Sequence, residues 1–139
     1  MHITARTEYA LRAMLALAAA EPNALTAAAL ATEQRMPATF LKTILSELRG
    51  AQLIVNQRGP ERGYRLIRPA AEISVGEILR VVDGPLELGE DGPYEWIALR
   101  NLQQVWHAAD SAMRGIVDRV SLADLITGDL PAHVRDLAG

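Results

Sequence analysis

The amino-acid sequence predicts a mainly α-helical chain with one small β-hairpin, arranged as a compact head followed by a long rear helix. Three observations predict it. Apolar residues recur at helical spacing over residues 5–20, 38–49 and 94–120. The nonapeptide Arg58-Gly59-Pro60-Glu61-Arg62-Gly63-Tyr64-Arg65-Leu66 joins two strand-like runs, Leu53-Ile54-Val55 and Tyr64-Arg65-Leu66-Ile67, so it reads as a hairpin with a basic tip. Residues 84–93 mix three glycines, two prolines and three acids in no regular period, which marks a loop between head and rear.

The first helix carries Tyr9, Ala10, Ala13, Met14, Leu17 and Ala18 on one face, with Thr4 as its cap and Glu21-Pro22-Asn23 as its stop. A second helix follows Thr26 and runs to about Gln34. After a turn at Arg35-Met36-Pro37, a third helix spans residues 38–49 and stops at Gly50. Its apolar stripe is Phe40, Leu41, Ile44, Leu45 and Leu48. Thr39, Lys42, Thr43 and Ser46 share the other side. A fourth, short helix begins at Ser74-Val75-Gly76-Glu77, which has capping-box spacing, and ends at Asp83-Gly84-Pro85.

The rear helix is expected over residues 94–120. Leu99, Leu102, Trp106, Ala109, Met113, Ile116 and Val120 alternate at spacings of three and four, a stripe that needs covering. A second copy of the same helix can cover it, and so can the chain's own head. Ser121-Leu122-Ala123-Asp124 starts a short helix that Gly128 ends. The last ten residues are expected as a loose tail or a short docking helix. The domain division is therefore residues 1–83 for the head, 84–93 for the loop and 94–139 for the dimerisation helix and C-terminal segment.

Composition narrows the function. No cysteine is present, which excludes disulfides, thiolate-ligated zinc, a cysteine nucleophile and a cysteine-ligated cluster. His2, His107 and His133 are scattered and form no metal-ligand spacing. Ser111, His107 and Asp110 are too close along one helix to suggest a catalytic triad, and no glycine-rich phosphate loop occurs. An enzyme is not expected. No run is apolar enough for a membrane span, and the N-terminus lacks a signal-peptide layout, so the expected compartment is the cytoplasm.

The net charge of −3 hides an asymmetry: residues 1–69 hold nine Lys/Arg against five Asp/Glu, a balance of +4, and residues 70–139 hold five against twelve, a balance of −7. A basic front suits a polyanion. Helix 38–49 offers it small hydroxyls and one lysine, which can bond phosphates or base edges, although many polar helix faces are merely solvated. A helix pair of helix-turn-helix length followed by a basic hairpin is a winged helix-turn-helix. Its expected partner is double-stranded DNA, met by Thr39, Lys42, Thr43, Ser46, Arg58, Arg62 and Arg65. The alternative is a winged-helix protein-interaction module that works through its acidic rear without specific DNA binding.

Several motifs together resemble the Rrf-two family of bacterial winged-helix transcriptional regulators, over residues 1–127. They are Tyr9-Ala10-Leu11-Arg12-Ala13-Met14-Leu15, Phe40-Leu41 with Ile44-Leu45 and Leu48, and the wing Arg58-Gly59-Pro60 with Gly63-Tyr64-Arg65-Leu66. Ile73-Ser74-Val75-Gly76-Glu77-Ile78, Val81-Val82-Asp83-Gly84-Pro85, Trp106 and Ser121-Leu122-Ala123-Asp124-Leu125 complete the set. The resemblance implies a homodimeric transcription factor, with a repressor as the leading reading, whose rear helices cross at the two-fold axis. Each recognition helix (38–49) and wing (58–65) then meets half of a pseudo-palindromic operator.

Two departures qualify what the resemblance implies. Members of the family often carry a run of glycines where this chain has Glu61-Arg62. Many also hold an iron–sulfur cluster on three cysteines in and after the loop equivalent to residues 84–105, and here that stretch has none. Glu8 matches an acidic cluster ligand of some relatives but lacks soft ligands beside it. A cluster-free member is expected, one that senses a small molecule, binds a partner protein or represses without a ligand. Tyr94 and Trp96 are candidates for an effector pocket, or with Trp106 for core and dimer packing.

Overall fold

The computed structural model describes residues 3–84 and 96–139. Helix α1 (Ala5–Ala20) begins where the Thr4 hydroxyl accepts from the Thr7 N–H at 3.1 Å. Helix α2 (Ala27–Gln34) is capped in the same way, Thr26 accepting from the Ala29 N–H at 3.1 Å. Arg35 stops α2 in the left-handed region, at φ 53°, and Met36-Pro37 lead into α3 (Ala38–Gly50). The stop of α3 differs from the sequence expectation. Gly50 is still helical, and the left-handed residue is Gln52 at φ 61°. The Leu53 N–H reaches back to the Leu48 carbonyl at 3.1 Å while the Leu53 side chain buries itself. Burial of Leu53 therefore sets the exit, at the cost of placing a side chain where glycine is preferred.

Strands β1 (Ile54–Gln57) and β2 (Gly63–Leu66) form the antiparallel hairpin, with Ile54 opposite Leu66 and Val55 opposite Arg65. Ile54 and Leu66 point into the core, so the hairpin is bolted down by one face. Its other edge is also held. Leu25, in the link between α1 and α2, exchanges both backbone hydrogen bonds with Tyr64, at 3.1 and 2.7 Å. That approach depends on Gly63: its φ is +137°, and a Cβ there would lie 2.7 Å from the Leu25 carbonyl carbon.

A 3₁₀ turn (Ala70–Glu72) precedes α4 (Val75–Asp83). Ser74 caps α4 at 3.1 Å, but Glu77 pairs with Arg68 at 2.6 Å. The rear helix α5 (Ile97–Val117) is followed by α6 (Leu122–Thr127) and α7 (Ala132–Ala138). Ser121 and Asp124 make both bonds of a capping box, at 3.0 and 2.9 Å. The end of the chain is thus helical, and His133 Nε2 meets the Ile116 carbonyl at 3.1 Å.

The turn after α5 returns to the head. The Val75 N–H bonds the Val120 carbonyl at 2.8 Å, and the Leu122 N–H bonds the Ile73 carbonyl at 3.0 Å. Leu122 joins Met14, Leu17, Leu30, Leu45, Leu48, Ile73 and Ile78 in the core, each of these below 2% exposed. Burying each side chain of that size contributes about 1.5–3 kcal/mol. Thr7, the one buried polar residue among the described residues, donates its hydroxyl to the Asp83 carboxylate, 2.8 and 2.9 Å from its two oxygens. Since that proton goes to Asp83, Thr4 donates to Thr7 across their 2.9 Å contact. The start of α1 and the end of α4 are thereby tied. No helix of the described residues is long and apolar enough to cross a membrane.

Candidate nucleic-acid interface

Helix α3 is sharply two-sided. Leu41, Ile44, Leu45 and Leu48 are at most 1% exposed. Thr39, Lys42, Thr43 and Ser46 all stand in solvent, so the four predicted reading residues share one open face. Phe40 departs from the stripe assigned to it. It sits at the border, 39% exposed, with its ring edge-on to Tyr9 at 5.6 Å. Tyr9 in turn lies 5.5 Å beneath the Arg12 guanidinium, which also bonds the Gln34 carbonyl at the end of α2. The helical pair is therefore braced from α1. Arg49 is exposed seven residues beyond Lys42 and shares its edge, a cation that the i, i+7 spacing could have added to the expected set.

The wing is built around a turn in which the Arg62 N–H bonds the Gly59 carbonyl at 3.1 Å. Pro60 occupies the second position, whose φ it fixes, and Gly59 supplies φ +95° just before it. Glu61 is not among the residues with positive φ, so the turn closes without a glycine run. Arg58 and Arg62 project from the tip. Arg65 sits farther down β2 and is half-buried. With its amide oriented to suit both neighbours, Gln57 accepts from Arg65 Nη1 and donates to the Glu61 carbonyl, both at 3.2 Å. An open groove lined by Thr26, Ala27, Ala28, Arg58, Arg62 and Tyr64 runs between the wing and the start of α2. The N–H groups of a helix's first turn have no partner inside the helix, so this groove combines two arginines with a helix terminus suited to an anion.

Ion pairing separates the cations of the head into two sets. Arg6 pairs with Glu47, and Arg68 with Glu77. Lys42, Arg49, Arg58, Arg62 and Arg65 have no ion-pair partner among the described residues. Arg80 pairs with Asp118, and Arg12 and Arg35 are also without an ion pair among the described residues, so most but not all of the head's unpaired cations belong to α3 and the wing.

The rear helix presents the opposite chemistry. No residue of α5 is buried. Of the expected stripe, Leu102 is 43% and Trp106 49% exposed, Ala109 is exposed, and Leu99, Met113 and Ile116 are half-buried. Val120 is different. It lies beyond the helix and is buried in the head at 6% exposure, because its segment bonds to α4. Ile97 and Val105 extend the open apolar surface, at 64% and 57% exposed. Val105 was readable from the i, i+3, i+4 pattern with Leu102, Trp106 and Ala109. Of the pocket candidates, Trp96 is an exposed residue at the start of α5, and Tyr94 lies outside the described residues.

Among the described residues, no group of three or more His, Asp or Glu side chains could hold a metal ion. Glu8 is exposed in the first turn of α1. The donor set does not fit an iron–sulfur cluster, since the chain has no thiolate anywhere.

A family model described as "Rrf2: Iron-dependent Transcriptional regulator" matches residues 3–128. A helix-turn-helix-type transcriptional regulator of Mycobacterium tuberculosis is 42% identical, covering 99% of this chain and 89% of that protein. The regulator IscR of Photobacterium profundum is 28% identical, covering 100% of this chain and 81% of its own length. Among solved structures, CymR of B. subtilis, titled the global cysteine regulator, superposes with a TM-score of 0.75 at 26% identity. The superposition covers 91% of this chain and 97% of that one. T. potens IscR superposes at 0.77 and 25% identity, covering 93% and 88%.

Proposed function

Because the chain belongs to the Rrf2 family of transcriptional regulators, we propose that it is a homodimeric repressor that reads a pseudo-palindromic operator and carries no iron–sulfur cluster. The carrying observation is the set of unpaired, exposed cations on α3 and the wing. Lys42, Arg49, Arg58 and Arg62 are exposed and have no ion-pair partner among the described residues, which leaves them available to phosphates. Thr39, Thr43 and Ser46 share the open face of α3 with Lys42 and are short enough for the helix to approach base edges closely. The groove between the wing and the start of α2 offers a further phosphate a helix terminus and two arginines.

Dimerisation is proposed from α5, a helix with no buried residue whose exposed Leu102, Val105 and Trp106 need apolar cover. Two copies related by a two-fold axis would set two reading heads on successive half-sites. Without thiolates, the controlling signal would be a small molecule or a partner protein acting near the seam between α4 and α5.

Promoter fragments upstream of the gene, in a gel shift across a salt series, test the assignment. Tight binding to one fragment, with a log–log salt slope of about −0.9 per phosphate contacted, is expected. Lys42→Ala and Arg58→Ala should each weaken it about tenfold and leave the dimer intact. If both variants bind like the wild type, the reading face is elsewhere. If no fragment is retained even at low salt, the acidic protein-interaction module becomes the better account. A brown preparation with iron-derived absorbance would refute the cluster-free proposal.

A further inference from the structure

We propose that Arg6 is a positioning residue for DNA reading: it holds and neutralises Glu47, the one carboxylate on the recognition helix. The proposal rests on the reading of α3 as the DNA-facing helix. Within Ala38–Gly50, Glu47 is the single acidic residue, and it follows Thr43 by one turn and Ser46 directly. On the helix it lies on the same side as Phe40, the border that faces α1. There Arg6 of α1 meets Glu47 Oε1, with the two side chains 35% and 31% exposed. The other oxygen, Oε2, is enclosed and has no hydrogen-bond donor. Among the described residues, Arg6 is thus the only donor this carboxylate has.

Removing Arg6 would leave both oxygens of a half-buried carboxylate unpaired, one turn from the reading face. An uncompensated charge in that position is costly, and a polyanion approaching α3 would meet a like charge. Arg6 would then matter to DNA only through Glu47. Its loss should be felt equally by every duplex, since it touches no base, and should disappear once Glu47 is made neutral.

The test uses the full chain and four proteins: wild type, Arg6→Ala, Glu47→Gln and the double variant. For each, the dissociation constants for operator and random duplex are measured across a salt series, well below the melting temperature recorded for the same protein. We expect Arg6→Ala to weaken both duplexes about tenfold, with the salt slope unchanged. Glu47→Gln should bind as well as wild type or up to about threefold tighter. The double variant should return to within about threefold of wild type. If the double variant stays as weak as Arg6→Ala and its slope falls by about 0.9, Arg6 contacts a phosphate itself and the inference is overturned. Loss of discrimination between operator and random duplex in Glu47→Gln also overturns it, because Glu47 would then read a base. If the wild type binds no duplex at low salt, the DNA-reading proposal fails and this one with it. Wild-type binding without rescue in the double variant sinks this inference alone.

Discussion

On α3, four leucines and isoleucines are sealed at or below 1% exposure while Thr39, Lys42, Thr43 and Ser46 stand in solvent. On α5, nothing is buried, and Leu102, Val105 and Trp106 stand in solvent instead. Both helices are amphipathic, yet only α3 has its apolar side satisfied within one chain. What each leaves open indicates its partner. A helix already anchored by its apolar side can offer polar groups to a hydrated, charged ligand, where salt governs binding. A helix whose apolar side is still open gains most from another apolar surface, where salt matters little.

The sharpest way to break this contrast is to attack α5. In Leu102→Asp/Trp106→Asp, two charges would sit in the proposed helix crossing, and sedimentation should show a monomer. Each head would still fold and meet a half-site, but the two half-sites would no longer be linked. Operator affinity should fall about a thousandfold, within the range that coupling two sites commonly supplies. A monomer that retained full operator affinity would break the link between the two surfaces.

A smaller but still large effect is expected where the wing meets the helix pair. Gly63→Ala would set a methyl group 2.7 Å from the Leu25 carbonyl carbon, at a backbone φ of +137°. The clash and the strained dihedral together should cost about 2–3 kcal/mol, read as a shift in the denaturation midpoint. The wing should loosen with it, since the Leu25–Tyr64 bonds depend on that approach. The dimer should persist, because α5 is untouched. Loss of dimer in this variant would show that the two regions are less separate than the packing implies.

The sequence was easiest to read where a local rule governs the outcome. Thr4, Thr26, Ser74 and Ser121 each cap the helix that their spacing announces, because capping is a bond between near neighbours. The α3 stripe and the wing follow from periodicity and turn chemistry in the same way. What escaped depends on contacts distant in sequence. Gly50 looked like the end of α3, but burial of Leu53 moved the left-handed residue to Gln52. Val120 fits the α5 stripe by spacing, but a backbone bond from Val75 draws it into the head. Arg6 and Glu47 are forty-one positions apart, and no short-range pattern brings them together. The same holds for Leu25 and Tyr64. The shared open face of Thr39, Lys42, Thr43 and Ser46 was legible because α3 is short and its apolar spacing defines the opposite side, whereas the partial burial of Arg65 was not.

The finest test of the contrast concerns one charge at the wing tip. Glu61 sits in the turn closed by Gly59 and Arg62, and its backbone carbonyl, not its carboxylate, accepts from Gln57. The side chain is exposed and its φ is not positive. Glu61→Gln should therefore leave the turn and the melting temperature unchanged while removing a like charge from a surface proposed to face phosphate. Operator and random duplex should both bind about two- to threefold tighter at low salt, with the gain fading as ionic strength rises and the Debye length shrinks. The monomer–dimer equilibrium should not respond, because α5 is untouched. A change in that equilibrium, or a gain that salt does not erase, would mean that the wing acts through something other than its charge.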